Sequence, residues 1–366
     1  MRLALVIATI LVLGLIHTAS ATTYINHSIT ITKPGVYVIT TNLMGNGRGI
    51  GMAIYANNVT LIGNGHTITE FDTGVVVKGN NVTVKDCIIN KNNLGIQIKG
   101  NGNNLVNCTF YKNGFTADGA YYGKGIMING NYNKIVNCTV CCNGNSLIYS
   151  VNHGEGIVIS GHSNIVFRSN ISDNGDWLLG KGIVITGDKN KISDSKVANE
   201  HTGIYIRGNS SRIVDSSVVY WGMGVGLEIV GNRSDISSCF IEQRLGGGGT
   251  GIGIFGNYNR VSNCIIKIKS KYQTSIFGIN IAGTNNKLIN CTVENGRFRF
   301  GIATGYEPPQ FLWINSKNNT VINCKTVNSE YGIFIGDNNS KVVNCNASNN
   351  IYCGISIDGW NDTLII

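Results

Sequence analysis

Apolar and polar residues alternate along short segments of this chain rather than recurring at helical spacing. One segment reads Gly-Ile-x-Ile, and a second reads Ile-Val-Asn-Cys-Thr-Val, as at residues 135–140. A period of two is typical of strands that bury one face, and no sustained run of apolar positions has the helical period. The pattern therefore predicts an all-β protein made of short strands.

The two segments recur together as a repeat of at least 21 residues. A position thirteen residues after the repeat glycine holds Cys, Ser or Asn in eleven repeats, and an insertion at residues 305–314 displaces the equivalent Cys324. A unit this short cannot bury its own apolar face, so equivalent strands must stack in register at about 4.8 Å. The leucine-rich horseshoe needs a Leu-x-x-Leu-x-Leu frame that is absent. The repeat glycines are Gly51, Gly74, Gly95, Gly125, Gly156, Gly182, Gly203, Gly226, Gly251, Gly278, Gly301, Gly332 and Gly354.

We therefore predict a single-stranded parallel β-helix of about thirteen coils over residues 51–366, with residues 22–50 as an N-terminal cap and first strands. Asn80, Asn101, Asn131, Asn257 and Asn338 fall at turns, where asparagine tolerates left-handed backbone and its amide can bond to the next coil. The last repeat ends with an apolar strand, so we expect end-to-end self-association through residues 354–366.

Residues 1–21 have a different composition from the repeats. Arg2 precedes an apolar run from Leu3 to Ile16, and Ala19-Ser20-Ala21 provides a small-residue cleavage site. The alternative is an uncleaved membrane anchor, but the run is shorter than the ~20 residues that a span needs. We predict a secretion signal peptide, a secreted or extracytoplasmic chain that associates with a cell surface, and no transmembrane segment after signal removal.

Composition agrees with a turn-rich, folded, basic protein. Glycine (48) and asparagine (50) together make up roughly 27% of 366 residues, against about 7% glycine in an average protein. Hydrophobic residues form 42% of the chain and the formal net charge is +9. This charge favours acidic partners such as uronate-bearing glycans. Nucleic acid is not an expected partner of an exported protein.

The N-terminal part resembles NosD-type β-helix proteins. The matching residues are Ile29-Thr30-Ile31-Thr32-Lys33-Pro34-Gly35-Val36-Tyr37-Val38-Ile39-Thr40 and Asn58-Val59-Thr60-Leu61-Ile62-Gly63-Asn64-Gly65-His66-Thr67-Ile68. The resemblance extends over nearly the whole mature chain and implies a right-handed β-helix, the fold of pectate lyases and related sugar-active enzymes, in an extracytoplasmic setting. The namesake's role in copper-centre assembly implies copper handling as one alternative function.

Eight cysteines occupy the position thirteen residues after the glycine or its displaced equivalent, so we expect them to form a ladder of buried thiols. Stacked Cβ atoms about 4.8 Å apart are too distant for disulfides. No Cys-x-x-Cys or paired-histidine spacing accompanies them, so we predict no metal site and no cofactor; calcium and copper are the ions that the family resemblance raises. The ladder residues are Cys87, Cys108, Cys138, Cys239, Cys264, Cys291, Cys324 and Cys345.

Almost all extra length falls after the cysteine strand and before the next glycine. We therefore expect loops from consecutive coils to project side by side, within residues 113–124, 143–155, 174–181, 199–202 and 220–225. Aromatic and acidic residues along such an edge suit sugar recognition, although the rings would equally cover the core edge. The predicted ligand-binding residues are Tyr121, Tyr122, Tyr149, His153, Trp177, Glu200, His201, Tyr220 and Trp221.

Catalysis would require two carboxyl groups about 5–9.5 Å apart. The candidate catalytic residues are Asp118, Glu155 and Asp176, but no polygalacturonase or pectate-lyase motif surrounds them. The sequence therefore favours binding of a polysaccharide or cell-surface glycan without catalysis. A polysaccharide lyase, hydrolase or epimerase and a copper-handling protein remain as alternatives.

A second candidate surface is basic. Lys267, Lys269 and Lys271 alternate along one strand, and Glu242 and Glu294 are expected to stack near Lys267. An acidic glycan would suit this surface, whereas the simpler interpretation is a solvated strand face with charges that protect an edge. The residues of this predicted basic patch are Arg244, Lys267, Lys269, Lys271, Arg297 and Arg299.

Overall fold

The computed structural model describes residues 22–114, 122–144, 153–175, 179–244, 248–268, 277–294, 298–305 and 316–365, with the backbone alone at Tyr122, His153 and Ile268. These residues form forty β-strands and no helix, and every strand pair is parallel. The chain is a parallel β-helix in which each coil contributes a strand to each of three faces. The predicted all-β solenoid is confirmed.

Face 1 contains β2 (Ile29–Ile31), which precedes the repeats, and the strands that carry the repeat glycine. Its strands are β2 (Ile29–Ile31), β5 (Ile50–Ile54), β8 (Thr73–Val77), β11 (Leu94–Ile98), β14 (Tyr122–Asn129), β17 (His153–Ser160), β20 (Lys181–Thr186), β27 (Thr250–Phe255), β30 (Phe277–Ala282), β33 (Phe300–Thr304), β36 (Tyr331–Ile335) and β39 (Cys353–Ile357).

Face 2 is a separate sheet of fifteen strands within the described ranges. They are β1 (Thr22–Ile25), β3 (Gly35–Ile39), β6 (Val59–Ile62), β9 (Thr83–Lys85), β12 (Asn104–Val106), β15 (Lys134–Val136), β18 (Ile165–Phe167), β21 (Lys191–Ser193), β23 (Arg212–Val214), β25 (Asp235–Ser237), β28 (Arg260–Ser262), β31 (Lys287–Ile289), β34 (Thr320–Ile322), β37 (Lys341–Val343) and β40 (Thr363–Ile365). Thirteen of these belong to the repeats, and β1 and β3 extend the same stack to Thr22.

Face 3 follows the ladder position. Its strands are β4 (Leu43–Met44), β7 (Thr67–Thr69), β10 (Ile88–Asn90), β13 (Thr109–Tyr111), β16 (Thr139–Cys141), β19 (Asn170–Ser172), β26 (Phe240–Gln243), β29 (Ile265–Ile268), β32 (Thr292–Glu294), β35 (Lys325–Val327) and β38 (Asn346–Ser348). In two coils the chain passes from face 3 to face 1 as one strand, in β22 (Lys196–Arg207) and β24 (Ser217–Val230).

The core lies inside the coils and is built from columns of equivalent residues. Ile96, Ile126, Ile157 and Ile183 pair in register on successive coils, and each is almost completely buried. The repeat glycine is required because a Cβ on Gly203 would lie 2.5 Å from the carbonyl oxygen of the next repeat glycine and 2.2 Å from a valine methyl group. The interior therefore fixes both the glycine spacing and the apolar positions.

The corners of a coil use left-handed backbone. In the coil that begins at Gly74, Asn81, Asp86 and Lys91 have φ of 55°, 55° and 51°. The predicted asparagine column is present, since the Asn101 N–H donates to Asn80 Oδ1 at 2.7 Å. The expectation of left-handed backbone at the column residues themselves is wrong. The left-handed residue is the next one in the chain, so the backbone turns one residue after the asparagine whose side chain accepts the hydrogen bond.

The cysteine ladder is internal, as predicted. Seven ladder cysteines are buried, Cys345 is half-buried, and all eleven cysteines, which lie within the described ranges, are free thiols. The Cys264 thiol donates to the Ser262 carbonyl at 3.3 Å, and the Ser195 hydroxyl makes the equivalent bond to Ser193 at 2.9 Å. Thiol and hydroxyl therefore fill the same internal position with the same backbone acceptor.

At the C-terminal end of the described stack, Leu364 and Ile365 of β40 are 41% and 51% exposed. End-to-end association through residues 354–366 stays a prediction. The part of the chain that the structure describes contains no helical membrane span.

Candidate functional site

The loop edge is the corner between face 3 and face 1, where the sequence places most of its insertions. The chain leaves the stack there in register on successive coils: the Gly114 N–H donates to the Asn92 carbonyl at 2.6 Å, and the Gly144 N–H donates to the Asn113 carbonyl at 2.6 Å. It returns in register too, because Gly123 pairs with Gly154. The bases of these loops therefore stack one above another.

Several predicted site residues belong to the loops themselves. Tyr122 pairs with His153 at the start of β14 and β17, which places these two backbones on adjacent coils. The predictions for Asp118, Tyr121, Tyr149, Asp176, Trp177, Lys269, Lys271 and Arg297 lie outside the described residues.

A row of alternating charge follows the loop edge on the outside of face 1. Lys124, Glu155 and Lys181 occupy paired positions on three successive coils. Glu155 lies 2.6 Å from the Lys124 ammonium group and 3.9 Å from that of Lys181, and its side chain is 21% exposed. The candidate Glu155 is thus a surface carboxylate between two lysine ammonium groups. The lysines can donate hydrogen bonds to hydroxyl groups, and the carboxylate can accept them.

Two further predicted binding residues are internal, so the prediction for them is wrong. Glu200 and Tyr220 have no measurable exposure. Both oxygens of Glu200 accept from the Asn174 backbone N–H, at 3.0 and 3.1 Å, and one accepts from the Asn174 side chain at 2.9 Å. Asn174 ends an internal column of asparagines, so Glu200 continues that column. Burial raises the pKa of the Glu200 carboxyl well above its usual range.

His201 and Trp221 are partly exposed at the two short crossings of the loop edge. In the second crossing the backbone bulges at residues 221–224, and the Gln243 side chain donates to the Gly222 carbonyl at 2.6 Å, which anchors the bulge from the next coil. A Cβ on Gly224 would meet the His201 carbonyl oxygen, so the bulge lies against the coil that carries His201. The structure therefore brings these two predicted residues to one part of the edge.

Tyr205 and Glu228 are candidate site residues that the sequence analysis did not name. They occupy the x position of Gly-Ile-x-Ile on adjacent coils, pair in register and point outward from face 1. Burial raises the pKa of the Glu228 carboxyl, and burial followed by the charge of Glu228 raises the pKa of Tyr205. The signal was available, since this position otherwise holds mostly aliphatic or small residues.

An aromatic row continues the loop edge toward the C-terminus. The rings of Phe277 and Phe300 stack with centroids 5.5 Å apart, Phe300 and Tyr331 are 5.4 Å apart, and Tyr331 and Tyr352 are 5.5 Å apart. Phe277 and Phe300 are buried outside the main core, whereas Tyr352 is 68% exposed. The C-terminal part of this edge is therefore apolar, unlike the charged part at Glu155.

The described members of the predicted basic patch are largely paired with other groups. Lys267 lies 2.6 Å from Glu294, as the predicted stacking requires, and Arg244 lies 3.7 Å from Glu242. Arg299 lies over the Phe300 ring with its guanidinium carbon 5.5 Å from the ring centroid. These contacts partly neutralise the described charges and favour the interpretation of the basic patch as a solvated strand face over that of a glycan-binding surface.

Neither copper nor calcium fits the residues that the structure describes. The described part of the chain has no group of three or more His, Cys, Asp or Glu side chains that could hold a metal ion. The described ladder thiols are directed at backbone carbonyls inside the coils, as Cys108 is to Val106 and Cys324 to Ile322. The ladder therefore offers a metal no open coordination position.

Comparisons with known proteins agree with this architecture. Residues 181–327 match the sequence model of a protein family that is described as the right-handed β-helix region. No curated protein shows significant sequence similarity to the chain.

Among solved structures, a mutant tailspike protein of E. coli bacteriophage HK620 in complex with a hexasaccharide is 10% identical, with a TM-score of 0.57, and the match covers 94% of this chain and 73% of that one. A pentasaccharide complex of the same tailspike has a TM-score of 0.54 at 10% identity, over 94% and 74%. The Dettilon tailspike protein is 14% identical with a TM-score of 0.48; the match covers 91% of this chain, which spans 61% of that one. At these identities the likeness to the two HK620 tailspike structures shows the fold alone, and together with the family match it identifies the stack as a right-handed parallel β-helix.

Proposed function

We propose that this protein is an exported polysaccharide-binding protein whose ligand lies along face 1 beside the loop edge and is not turned over. The observation that carries the proposal is the outward row Lys124, Glu155 and Lys181 at the base of stacked loops, with Tyr205 and Glu228 on the same face. Ammonium and carboxylate groups bond to sugar hydroxyls, and an aromatic ring covers the apolar face of a pyranose. The HK620 tailspike, whose fold is similar, has been solved in complex with oligosaccharides, which supports a polysaccharide as the ligand.

Turnover is the alternative, and one observation favours it. The raised pKa of Glu228 suits a general acid. However, Glu155 lies three coils away, which is at least about 14 Å at the interstrand spacing. This separation exceeds the ~5–9.5 Å that paired carboxyl groups of glycosidases require. Binding is thus the function that the described carboxylates support best.

The test is polysaccharide binding by the mature chain. A glycan array identifies a ligand, and calorimetry then compares the parent with Glu155→Gln and Tyr205→Ala. Each variant should lose about fivefold to tenfold in affinity, since each removes a contact worth about 1–1.4 kcal/mol. Glu294→Gln is the matched control for Glu155 because it also leaves a lysine 2.6 Å away. Tyr132→Ala is the control for Tyr205, since Tyr132 is 65% exposed at a corner between faces 1 and 2.

Retention of full affinity by both test variants would contradict the proposed location, and absence of any glycan ligand would contradict the function. A reducing-sugar and unsaturated-product assay on the identified ligand separates binding from turnover. If the parent chain forms product and Glu155→Gln and Asp176→Asn abolish it, the protein is an enzyme and the proposed function is wrong.

A further inference from the structure

Face 2 carries a cluster of cations that the predicted basic patch did not include. Two neighbouring columns contribute to it, one at the corner that precedes face 2 and one at the first residue of the face 2 strands β21, β23, β25, β28 and β31. We call this cluster the face 2 patch; its cations are Lys189, Lys191, Arg212, Arg233, Arg260 and Lys287, all of them exposed.

The register of β21, β23, β25, β28 and β31 produces the strand column. Lys191 pairs with Arg212, then Asp235, Arg260 and Lys287 follow on successive coils. Because each coil adds about 4.8 Å, Arg212 and Arg260 lie roughly 10 Å apart on either side of Asp235. The Arg212 Nε atom lies 3.4 Å from Asp235 Oδ2, with both side chains more than a third exposed. Such an exposed pair holds its cation only weakly and leaves it available to a ligand.

A shallow cavity of about 480 Å³ opens within the patch. Arg212, Arg233 and Arg260 line it together with Asp235 and Tyr258. The Arg233 guanidinium carbon lies 5.9 Å from the centre of the Tyr258 ring, and that residue is 57% exposed. Ser237 and Ser262 also line the cavity. The cavity thus presents three arginines, one aspartate and one tyrosine to solvent.

The patch concentrates charge that the fold itself does not need. Its six cations lie near two carboxylates, Asp235 and Asp188 at the margin, in a chain whose whole formal charge is +9. The corner column has left-handed backbone and holds asparagine at both ends of the stack, at Asn81 and Asn339, but Lys189, Arg233 and Tyr258 in the patch. Left-handed backbone favours asparagine over such side chains. Local backbone preference therefore does not account for these residues.

We propose that the face 2 patch is a second binding site, separate from the loop edge, for a carboxylate-bearing polysaccharide. Arginine pairs with carboxylates in a bidentate geometry, and two arginines two coils apart suit acidic groups at intervals along an extended polymer. Asp235 between them would repel an uninterrupted run of phosphates but accepts hydrogen bonds from sugar hydroxyls. The choice of a polysaccharide over other polyanions rests on the proposed function. The charge and geometry of the patch are independent of that function.

The experiment measures binding of polygalacturonate to the mature chain at near-physiological salt. The test variant is Arg212→Gln/Arg233→Asn/Arg260→Gln. The control variant Lys134→Gln/Lys325→Gln/Lys341→Gln removes three exposed cations outside the patch. The test variant should lose at least about tenfold in affinity and the control should lose less than about twofold, since exposed pairs contribute little individually. Thermal melting of both variants establishes that each is folded.

Equal losses in the two variants would reduce the effect to net charge and overturn the site. Failure of the parent chain to bind polygalacturonate would overturn it as well. Tighter binding of single-stranded DNA or of anionic phospholipid vesicles at the same salt would overturn the proposed occupant. Glu155→Gln and Tyr205→Ala should leave polygalacturonate binding at face 2 unchanged, so failure of the loop-edge site and failure of this site give different results.

Discussion

Face 2 keeps one strand length from β9 to β40, three residues in every coil, whereas the face 1 strands β11 and β14 have five and eight residues. Both faces enclose the same core, and their inward columns are equally buried. The difference arises at the corners: apart from the insertion at residues 305–314, between β33 and β34, the corners that flank face 2 keep the same short length in successive coils, while the loop edge accepts insertions in many coils. Packing thus fixes the inside of each coil and leaves the outer surface of the loop edge free to acquire function.

The strongest test of a fixed interior is a side chain at a repeat glycine. Gly203→Val would place carbon atoms on the Gly226 carbonyl oxygen and on the Val218 side chain. We expect a loss of about 3 kcal/mol or more in the free energy of unfolding, or failure to fold, because backbone must move to relieve the overlap. Chemical denaturation measures it. Gly65→Asn is the control, since Gly65 has φ of 77° and no atom within 4 Å of the added Cβ; a similar loss in both variants would contradict the account.

Substitutions in the thiol ladder should show whether the position is limited by the size of its side chain or by its polarity. Cys264→Leu should cost about 1–3 kcal/mol through overpacking of a position with no exposure. Cys264→Ser should cost little, because a serine hydroxyl can donate to the Ser262 carbonyl as the thiol does. Urea unfolding curves of the two variants provide the comparison. A serine variant less stable than the leucine variant would show that the ladder needs sulfur rather than small volume.

Glu200 makes the stability of the stack depend on pH. Because burial raises the pKa of its carboxyl in the folded chain, the unfolded chain ionises first as pH rises, so folding loses stability from about pH 4.3 upward. Glu200→Gln removes this loss, and Gln243 already occupies the equivalent position two coils on. The variant should gain about 1–3 kcal/mol at neutral pH and nothing near pH 4. Melting temperatures across this range test it, with Glu294→Gln as the control; a gain of equal size at all pH values would argue against the buried carboxyl as its cause.

The smallest expected effect separates stability from binding on face 2. Arg233 has φ of 57°, a conformation that asparagine adopts more readily. Arg233→Asn should therefore raise the free energy of unfolding by up to about 1 kcal/mol while it weakens polygalacturonate binding. Thermal melting and calorimetry on the same sample give both values. A loss of stability would indicate that Arg233 serves the fold.

The sequence predicts the stacked coils, the glycine column and the buried thiols because each depends on spacing that the core enforces. It misassigns Glu200 and Tyr220, since an acid and a phenol beside short loops suggest a surface, and only the register shows that they continue an internal column. Tyr205 and Glu228 escape notice at scaffold positions. The face 2 patch assembles from residues 21–27 positions apart, such as Arg212 with Lys191 and Arg260 with Lys287, and it becomes evident only when the coils are stacked.

The most direct test of the loop-edge proposal is carboxyl footprinting of the mature chain by carbodiimide coupling and mass spectrometry, with and without a neutral polysaccharide ligand. The account predicts that the bound ligand slows modification of Glu155 and Glu228 on face 1 and leaves Asp235 on face 2 unchanged. Unaltered modification of Glu155 and Glu228 in the presence of saturating ligand, or protection confined to Asp235, would contradict it.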